Sequence, residues 1–504
     1  GTVTIEAQAI QDLSAFNLDF RGFEISDITV NDTPAEFSRD EHELRVTPAE
    51  PLLNGEMFTT AVTYSGQPGA VTTKAVPILT GWMNYGNGVY VASEPEGAPG
   101  WYPVNDHPLD KATYTFRITV LEPYVVATNG LLQETIDNGD TTTYVLEASD
   151  PTASYLVTVN IAEFVVQTEE GPDGLPIRNY FPADIAEDAA NDFARTSEMI
   201  EFFSSIFGPY PFEAYGVVVA DTHFPFALET QTLSLFARSW IDGEGGSEEA
   251  IAHELAHQWY GNSVSLGQWE DIWLNEGFAT YASWLWFEHS RGPEIMKRIV
   301  SSTYEQMASG YRPFTVELSK RDIVNVLAGI PEDVVLTREQ AETVVTTLVG
   351  DTLSEQEITD LVAALPAEGI GPDQIRELVG SLSFEEITLS SEQLWELALL
   401  LTLEEEIGEV LPLPNRGFVP PGNPPPNDLF NFGVYQRGAL TLHYLRLYVG
   451  DEIFFDILRT YADRYRYGNA TTEDFIALAE EVSGEELDDV LNAWLYAPTM
   501  PELP

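Results

Sequence analysis

A chain of 504 residues, 44% hydrophobic and 12% aromatic, is long enough for two to four domains with sizeable cores and reads as globular rather than disordered. Its 81 acidic residues against 23 basic ones give a formal net charge of −58, a surface that repels nucleic acid and anionic lipid. The absence of cysteine excludes disulfides, iron–sulfur clusters and thiol catalysis, and obliges any zinc site to use His and carboxylate ligands. No apolar run reaches the roughly 18 residues of a membrane span, and no signal-peptide pattern is visible. The chain opens at Gly1, without Met and inside a strand pattern, so a processed form whose original start is removed is expected. The acidity fits two settings: a secreted or cell-surface protein with an acidic coat, or the cytoplasm of a salt-adapted organism.

From Gly1 to about Phe181 the signals are for strands. ELRVTPA, FTTAVTYSG, ATYTFRITV, TTTYVLEA and SYLVTVNIAEFVV alternate and are rich in β-branched residues, and NG, DNGD and PDG turns separate them. This predicts a β-sandwich-like domain over 1–181. From about residue 182 the composition shifts. DIAEDAANDFARTSEMIEFFSSIFG has helical periodicity and stops at Gly208 before Pro209; YGVVVAD and QTLSLFA read as strands. SEEAIAHELAHQWYGN predicts a helix from a Ser247 cap to Gly261, and WLNEGFATYASWLWFEHSRGP a second, stopped by Gly292 and Pro293. The expected architecture is α+β and multidomain, with 182–504 forming a mostly helical domain.

Between about Arg321 and Pro412 the texture changes again. A weak repeat recurs in LTREQ, LSEQE, IGPDQ and LSSEQ, and Thr337 with Gln340 and Ser354 with Glu357 have capping-box spacing. Four short amphipathic helices are expected, forming an acidic helical insert over 321–412. VPPGNPPPNDLF reads as a Pro-rich return linker, and from Tyr435 the pattern is helical once more.

HELAHQW, His253 to Trp259, places two histidines four residues apart, on one face of a helix. Both imidazoles can aim at one point, and Glu254 can reach a water held there. The bare pattern is short enough to arise by chance in a buried helix. A catalytic zinc wants three protein ligands and one open position. Glu276 lies 19 residues after His257, at the start of the next predicted helix, among Trp273, Phe278, Tyr281 and Trp284. Those apolar neighbours favour a buried ligand over a solvated first-turn acid.

HELAHQW followed by WLNEGFATY at this spacing resembles the gluzincin aminopeptidases, the family of aminopeptidase N and leukotriene hydrolase. The resemblance extends to GAPGWYPVNDHPLDKATYTF and VVATNG in the N-terminal half. It implies an N-terminal β domain followed by a thermolysin-like catalytic domain. It also implies one zinc ion on His253, His257 and Glu276, with Glu254 as base. FALET, Phe226 to Thr230, stands where the family has Gly-Ala-Met-Glu-Asn, and keeps its Ala and its Glu. The resemblance therefore gives Glu229 the substrate's free α-amine and Tyr435, in VYQRG, the oxyanion. By the same comparison Glu94, with Glu96 next, is the β-domain acid that helps hold the amine. The expected function is a zinc-dependent hydrolase acting on peptides with a free N-terminus. A zinc endopeptidase with the same metal site, or a non-catalytic scaffold keeping the fold, are the alternatives.

Overall fold

The computed structural model describes residues 1–308 and 419–503 apart from 498, together with Thr315–Ser319, Glu386–Ser390 and residues 344, 371 and 374. Residues 1–308 and 419–504 form one compact unit, and 309–418 a second.

The N-terminal strands alternate buried and exposed positions, the pattern of sheets with one solvated face. Thr2–Gln8, Met57–Ser65, Glu24–Val30 and Thr33–Pro34 make one antiparallel sheet. Phe16–Asp19, Glu43–Thr47 and Glu36–Asp40 make another. Leu18, Leu44 and Val46 from the second pack with Ile28, Val30, Phe58 and Val62 from the first, so this region is a sandwich. A five-stranded sheet follows, ordered Val125–Thr128, Val159–Ala162, Gly88–Ala92, Leu79–Tyr85, Ala70–Thr72.

The change from strand to helix does not coincide with the change of layer. The hairpin Phe164–Glu170 and Pro176–Pro182, expected in the N-terminal domain, pairs in parallel with Tyr215–Ala220, which pairs in turn with Ser234–Ala237. Both faces of this mixed sheet are covered. Val217, Val219 and Phe236 face the helices, while Val218, Ala220 and Leu235 face the five-stranded sheet. Coverage on both sides is why YGVVVA reads as a continuous apolar run.

The single helix anticipated after residue 182 is two, α1 (Ala186–Asp192) and α2 (Thr196–Phe207). Thr196 Oγ1 donates to Phe193 O at 2.7 Å in the break, and Arg195 there pairs with Glu198 and Glu248. Next come α3 (Glu248–Ala256), α4 (Trp273–Arg291) and α5 (Pro293–Ala308). Ser247 does not cap α3: its hydroxyl donates to Trp240 O instead. α3 is also shorter than expected, ending in turns through His257–Gly261. The last helices are α6 (Gly438–Val449), α7 (Asp451–Arg464), α8 (Thr472–Ser483) and α9 (Asp488–Tyr496). Thr471 and Asp474 form a capping box at α8. Trp259, Trp273, Trp284 and Trp286 are fully buried in the helical core, each worth about 1.5–3 kcal/mol or more in apolar burial.

In the second unit Thr315–Ser319 pairs antiparallel with Glu386–Ser390. The fourth anticipated helix, starting at Leu389, therefore begins on residues that are strand. Of the others only Val344, Gly371 and Gln374 are described, the first and last of them helical; the rest lie outside the described residues.

Candidate active site

α3 and α4 cross so that the metal-ligand candidates converge. His253 Nε2 stands 3.0 Å from His257 Nε2 and 3.1 Å from Glu276 Oε2, and His257 Nε2 is 3.3 Å from the same oxygen. A tetrahedral zinc with bonds of roughly 2.0–2.1 Å separates its ligands by about 3.3–3.4 Å. The triangle therefore has the size of one face of such a site. The tautomer also fits. His257 Nδ1 lies 3.0 Å from Tyr260 O, an acceptor, so Nδ1 carries the proton and Nε2 presents a lone pair. Gly261 makes room: a Cβ there would come within 2.9 Å of His257 Nδ1, and its φ is +124°.

Glu254 is buried beside this triangle, and its carboxylate, that of Glu229 and a His257 nitrogen lie within 4.8 Å of one another. Glu94, Glu229 and Glu276 form an overlapping group of the same size. Glu94 follows the strand Gly88–Ala92, and Glu229 follows Leu228, which bridges to Leu235 at the sheet edge. Glu94 Oε1 and Glu229 Oε1 are buried without a hydrogen-bond partner. Glu96, the second choice for that role, turns elsewhere, pairing with Arg21 and accepting from Thr73.

Tyr435 sits in a five-residue π turn, Gly433–Arg437, and its ring stacks on His253 with centroids 6.0 Å apart. Its place depends on a close helix contact. A Cβ on Gly277, the residue after Glu276, would come within 2.9 Å of Gly438 Cα. Arg437, fully buried, anchors the turn by donating to the carbonyls of Trp494, Ala493 and Ala497 at the end of α9.

Three buried carboxylates and the partly buried Glu94 around two imidazoles leave the site short of positive charge. Burial, then repulsion from Glu229, Glu276 and Glu254, pushes Glu94 well above the usual carboxylate range. Burial raises Glu229, and burial with repulsion from Glu229 and Glu276 raises Glu254 far. Burial lowers His253. It works against His257 too, but Glu229 and Glu276 overcome it and hold that imidazole at about 10. Burial would raise Glu276, yet His257 and His253 bring it down to about 2. Cations bound in the cluster reverse this logic. Burial and the same four carboxylates raise Tyr435 well above the phenol range, so it stays a donor.

The residues that sequence reasoning missed are those holding Glu229 in place. Gln258 Nε2 and Asn262 Nδ2 both donate to Glu229 O, at 3.1 and 2.7 Å, while Gln258 Oε1 accepts from Thr232 N. Asn129, in VVATNG, donates to Gln231 O at 2.7 Å. Lys111 donates to the carbonyls of Asn262, Ser263 and Gly468, joining the N-terminal strands to the loop after the histidines. The available signal was a set of amides inside otherwise apolar stretches.

The chain matches the Peptidase M1 N-terminal domain over residues 1–156 and the Peptidase family M1 domain over 192–325 and 422–494. The gap between the last two falls largely within the second compact unit. Among curated proteins it is similar to Aminopeptidase M1 of Arabidopsis thaliana, 22% identical over 98% of this chain and 48% of that one. It is also similar to Leucine aminopeptidase 2 of Neurospora crassa, 33% identical over 36% of this chain and 27% of that one. The chain thus spans about half the length of the first relative and less of the second. Among solved structures, the M1 zinc metallopeptidase of Deinococcus radiodurans superposes with a TM-score of 0.71 at 25% identity, covering all of this chain and 90% of that one. Leukotriene A4 hydrolase of Saccharomyces cerevisiae shares the fold, with a TM-score of 0.66 at 18% identity over all of this chain and 66% of that one. With both family domains matched in order, and the expected ligand triad assembled between two helices, the chain belongs to peptidase family M1.

Proposed function

We propose that this protein is a zinc-dependent aminopeptidase that removes residues from the N-terminus of peptides. The observation that carries the reading is a pair of carboxylates, Glu94 and Glu229, each with one buried oxygen that accepts no hydrogen bond, beside a three-donor metal set. A dication and an α-ammonium together offset the charges of Glu94, Glu229 and Glu276, which leaves Glu254 as the carboxylate free to accept a proton.

His253, His257 and Glu276 would hold the zinc, which when bound lowers the pKa of a water toward about 7 and polarises the scissile carbonyl. Glu229 and Glu94 hold the substrate ammonium one residue's length from that carbonyl, and so set the cut at the first peptide bond. Glu254 takes the proton of the attacking water and later passes it to the leaving amine. The Tyr435 phenol donates to the carbonyl oxygen as it gains negative charge. The relatives named aminopeptidases and the zinc metallopeptidase neighbour support the same reading.

Hydrolysis of aminoacyl-anilides, measured with and without a chelator, tests it. Activity is expected to vanish on chelation and return with zinc, and Glu254→Gln is expected to lose about 10²–10⁴-fold in kcat. Undiminished activity in Glu254→Gln protein overturns the mechanism. Equal cleavage of N-acetylated and free peptides favours an endopeptidase.

A further inference from the structure

The aminopeptidase reading leaves open which first residue is removed, and the cavity beside the triad bears on that question. It has a volume of about 380 Å³. Its charged lining groups are Glu94, Glu229, Glu254, Glu276, His253 and His257. These belong to overlapping groups whose ligand atoms lie within 4.8 Å of one another, so they form a single patch. Metal, ammonium and proton transfer use all of that patch.

Among the described residues, the remaining wall carries no charge. Val76, Ile78, Phe226, Trp240 and Phe430 are among its members. The polar groups in it are already engaged, apart from the Tyr435 hydroxyl: Thr80 Oγ1 donates to Val71 O at 3.4 Å and Trp240 Nε1 to Phe226 O at 3.0 Å. A charged side chain entering here loses its water and gains no partner, which is costly, whereas an apolar one gains by burial.

Chain connectivity says that this wall meets the first side chain. Ala92 pairs with Gly81, so the segment Val76–Thr80 adjoins the turn that carries Glu94. Phe226, Ala227 and Leu228 run directly into Glu229. Both apolar walls are therefore continuous with the two ammonium-binding carboxylates. The first side chain leaves the carbon that bears the ammonium, and it lies against them.

We propose that this cavity selects peptides with an apolar first residue of the Leu, Met or Phe class. The inference rests on the aminopeptidase reading. Basic first residues rank lower, because among the described residues no acid outside the used patch lines the cavity. Acidic ones rank lowest, because they also face four carboxylates.

The test is a panel of aminoacyl-anilides on the zinc-loaded protein, with Val76→Asp and Ile78→Asp as variants. Product inhibition by free Leu, Phe, Lys and Glu serves as a second readout on the unmodified chain. We expect kcat/KM for Leu, Met and Phe to exceed that for Lys and Arg by about tenfold or more, with Asp and Glu lower still. Inhibition should be tighter for Leu and Phe than for Lys or Glu. Either variant should raise Lys relative to Leu by about tenfold. A preference for Lys, Arg, Asp or Glu, or a Leu-to-Lys ratio unmoved in a folded variant, overturns the selectivity and leaves the aminopeptidase standing. No cleavage of any anilide by zinc-loaded protein overturns the aminopeptidase reading and the selectivity with it.

Discussion

Tyr435 shows how one side chain acquires a role from its surroundings. Burial and nearby carboxylates keep its phenol protonated, and the stacking on His253 sets it beside the proposed metal ligands. Tyr435→Phe should therefore lower kcat by about 10²–10³ with little change in KM, at unchanged zinc content. Steady-state kinetics beside metal analysis checks this. Asp106 carries a different single-residue consequence. Burial raises it from 3.8 to about 7, against the lowering effect of the hydrogen bond from Ser154. A carboxyl that binds its proton better when folded contributes stability fully below its unfolded pKa and loses it as pH rises through about 7. Asp106→Asn keeps an acceptor for Ser154 but cannot ionise. Its Tm, relative to the parent, should be more favourable at pH 8 than at pH 5, which thermal melts at the two pH values will show.

At the scale of elements, the site is a junction of backbones fixed by a few contacts. The bare crossing of Gly277 and Gly438 lets the α4 end that carries Glu276 meet the turn that carries Tyr435. Across the site, Gln258 and Asn262, just beyond α3, grip the carbonyl of Glu229. One short segment thus carries the two histidines proposed as metal ligands and holds Glu229, the proposed ammonium carboxylate. Gln258→Ala removes one grip and leaves the Thr232 N–H without its partner. A broken buried hydrogen bond of this kind costs about 1–3 kcal/mol. KM for free-amine substrates is accordingly expected to rise about tenfold, with kcat changed less. An equal fall in kcat for free and N-acetylated substrates would instead mark a general loss of structure.

For the whole molecule, a formal charge of −58 means strong self-repulsion. Raising salt from 0.1 to 1 M shortens the screening length from about 10 to about 3 Å. Tm should climb over that range, with NaCl and KCl alike, and kcat/KM for cationic substrates should fall as long-range attraction is screened. Melts and kinetics across a salt series measure both. A Tm independent of salt would show that the acidic surface carries no such penalty.

Much of this was legible in the order of residues, because some constraints are local. Helical geometry fixes His253, Glu254 and His257 relative to one another, and the apolar stretch around Glu276 marks a buried helix. Alternation marked the N-terminal strands. Composition alone determined the lack of thiol chemistry and the extreme charge. Other features depend on pairing between distant segments, for which no local pattern exists. The hairpin Phe164–Pro182 looks like its N-terminal neighbours, yet it joins Tyr215–Ala220, because parallel pairing is decided by which edge the folded chain presents. In sequence Glu94 ranks only narrowly ahead of Glu96; the fold buries an oxygen of Glu94 at the cavity and gives Glu96 to Arg21. The same holds for the apolar wall, assembled from Val76, Phe226 and Phe430. The sequence by itself determined the relation of His253, Glu254 and His257, because their spacing is helical. Only the tertiary structure decided which carboxylates they meet and what surrounds the substrate, because those contacts join separate segments: Glu229 lies 28 positions before His257, and Glu94, Val76 and Phe430 lie more than a hundred away from the histidines.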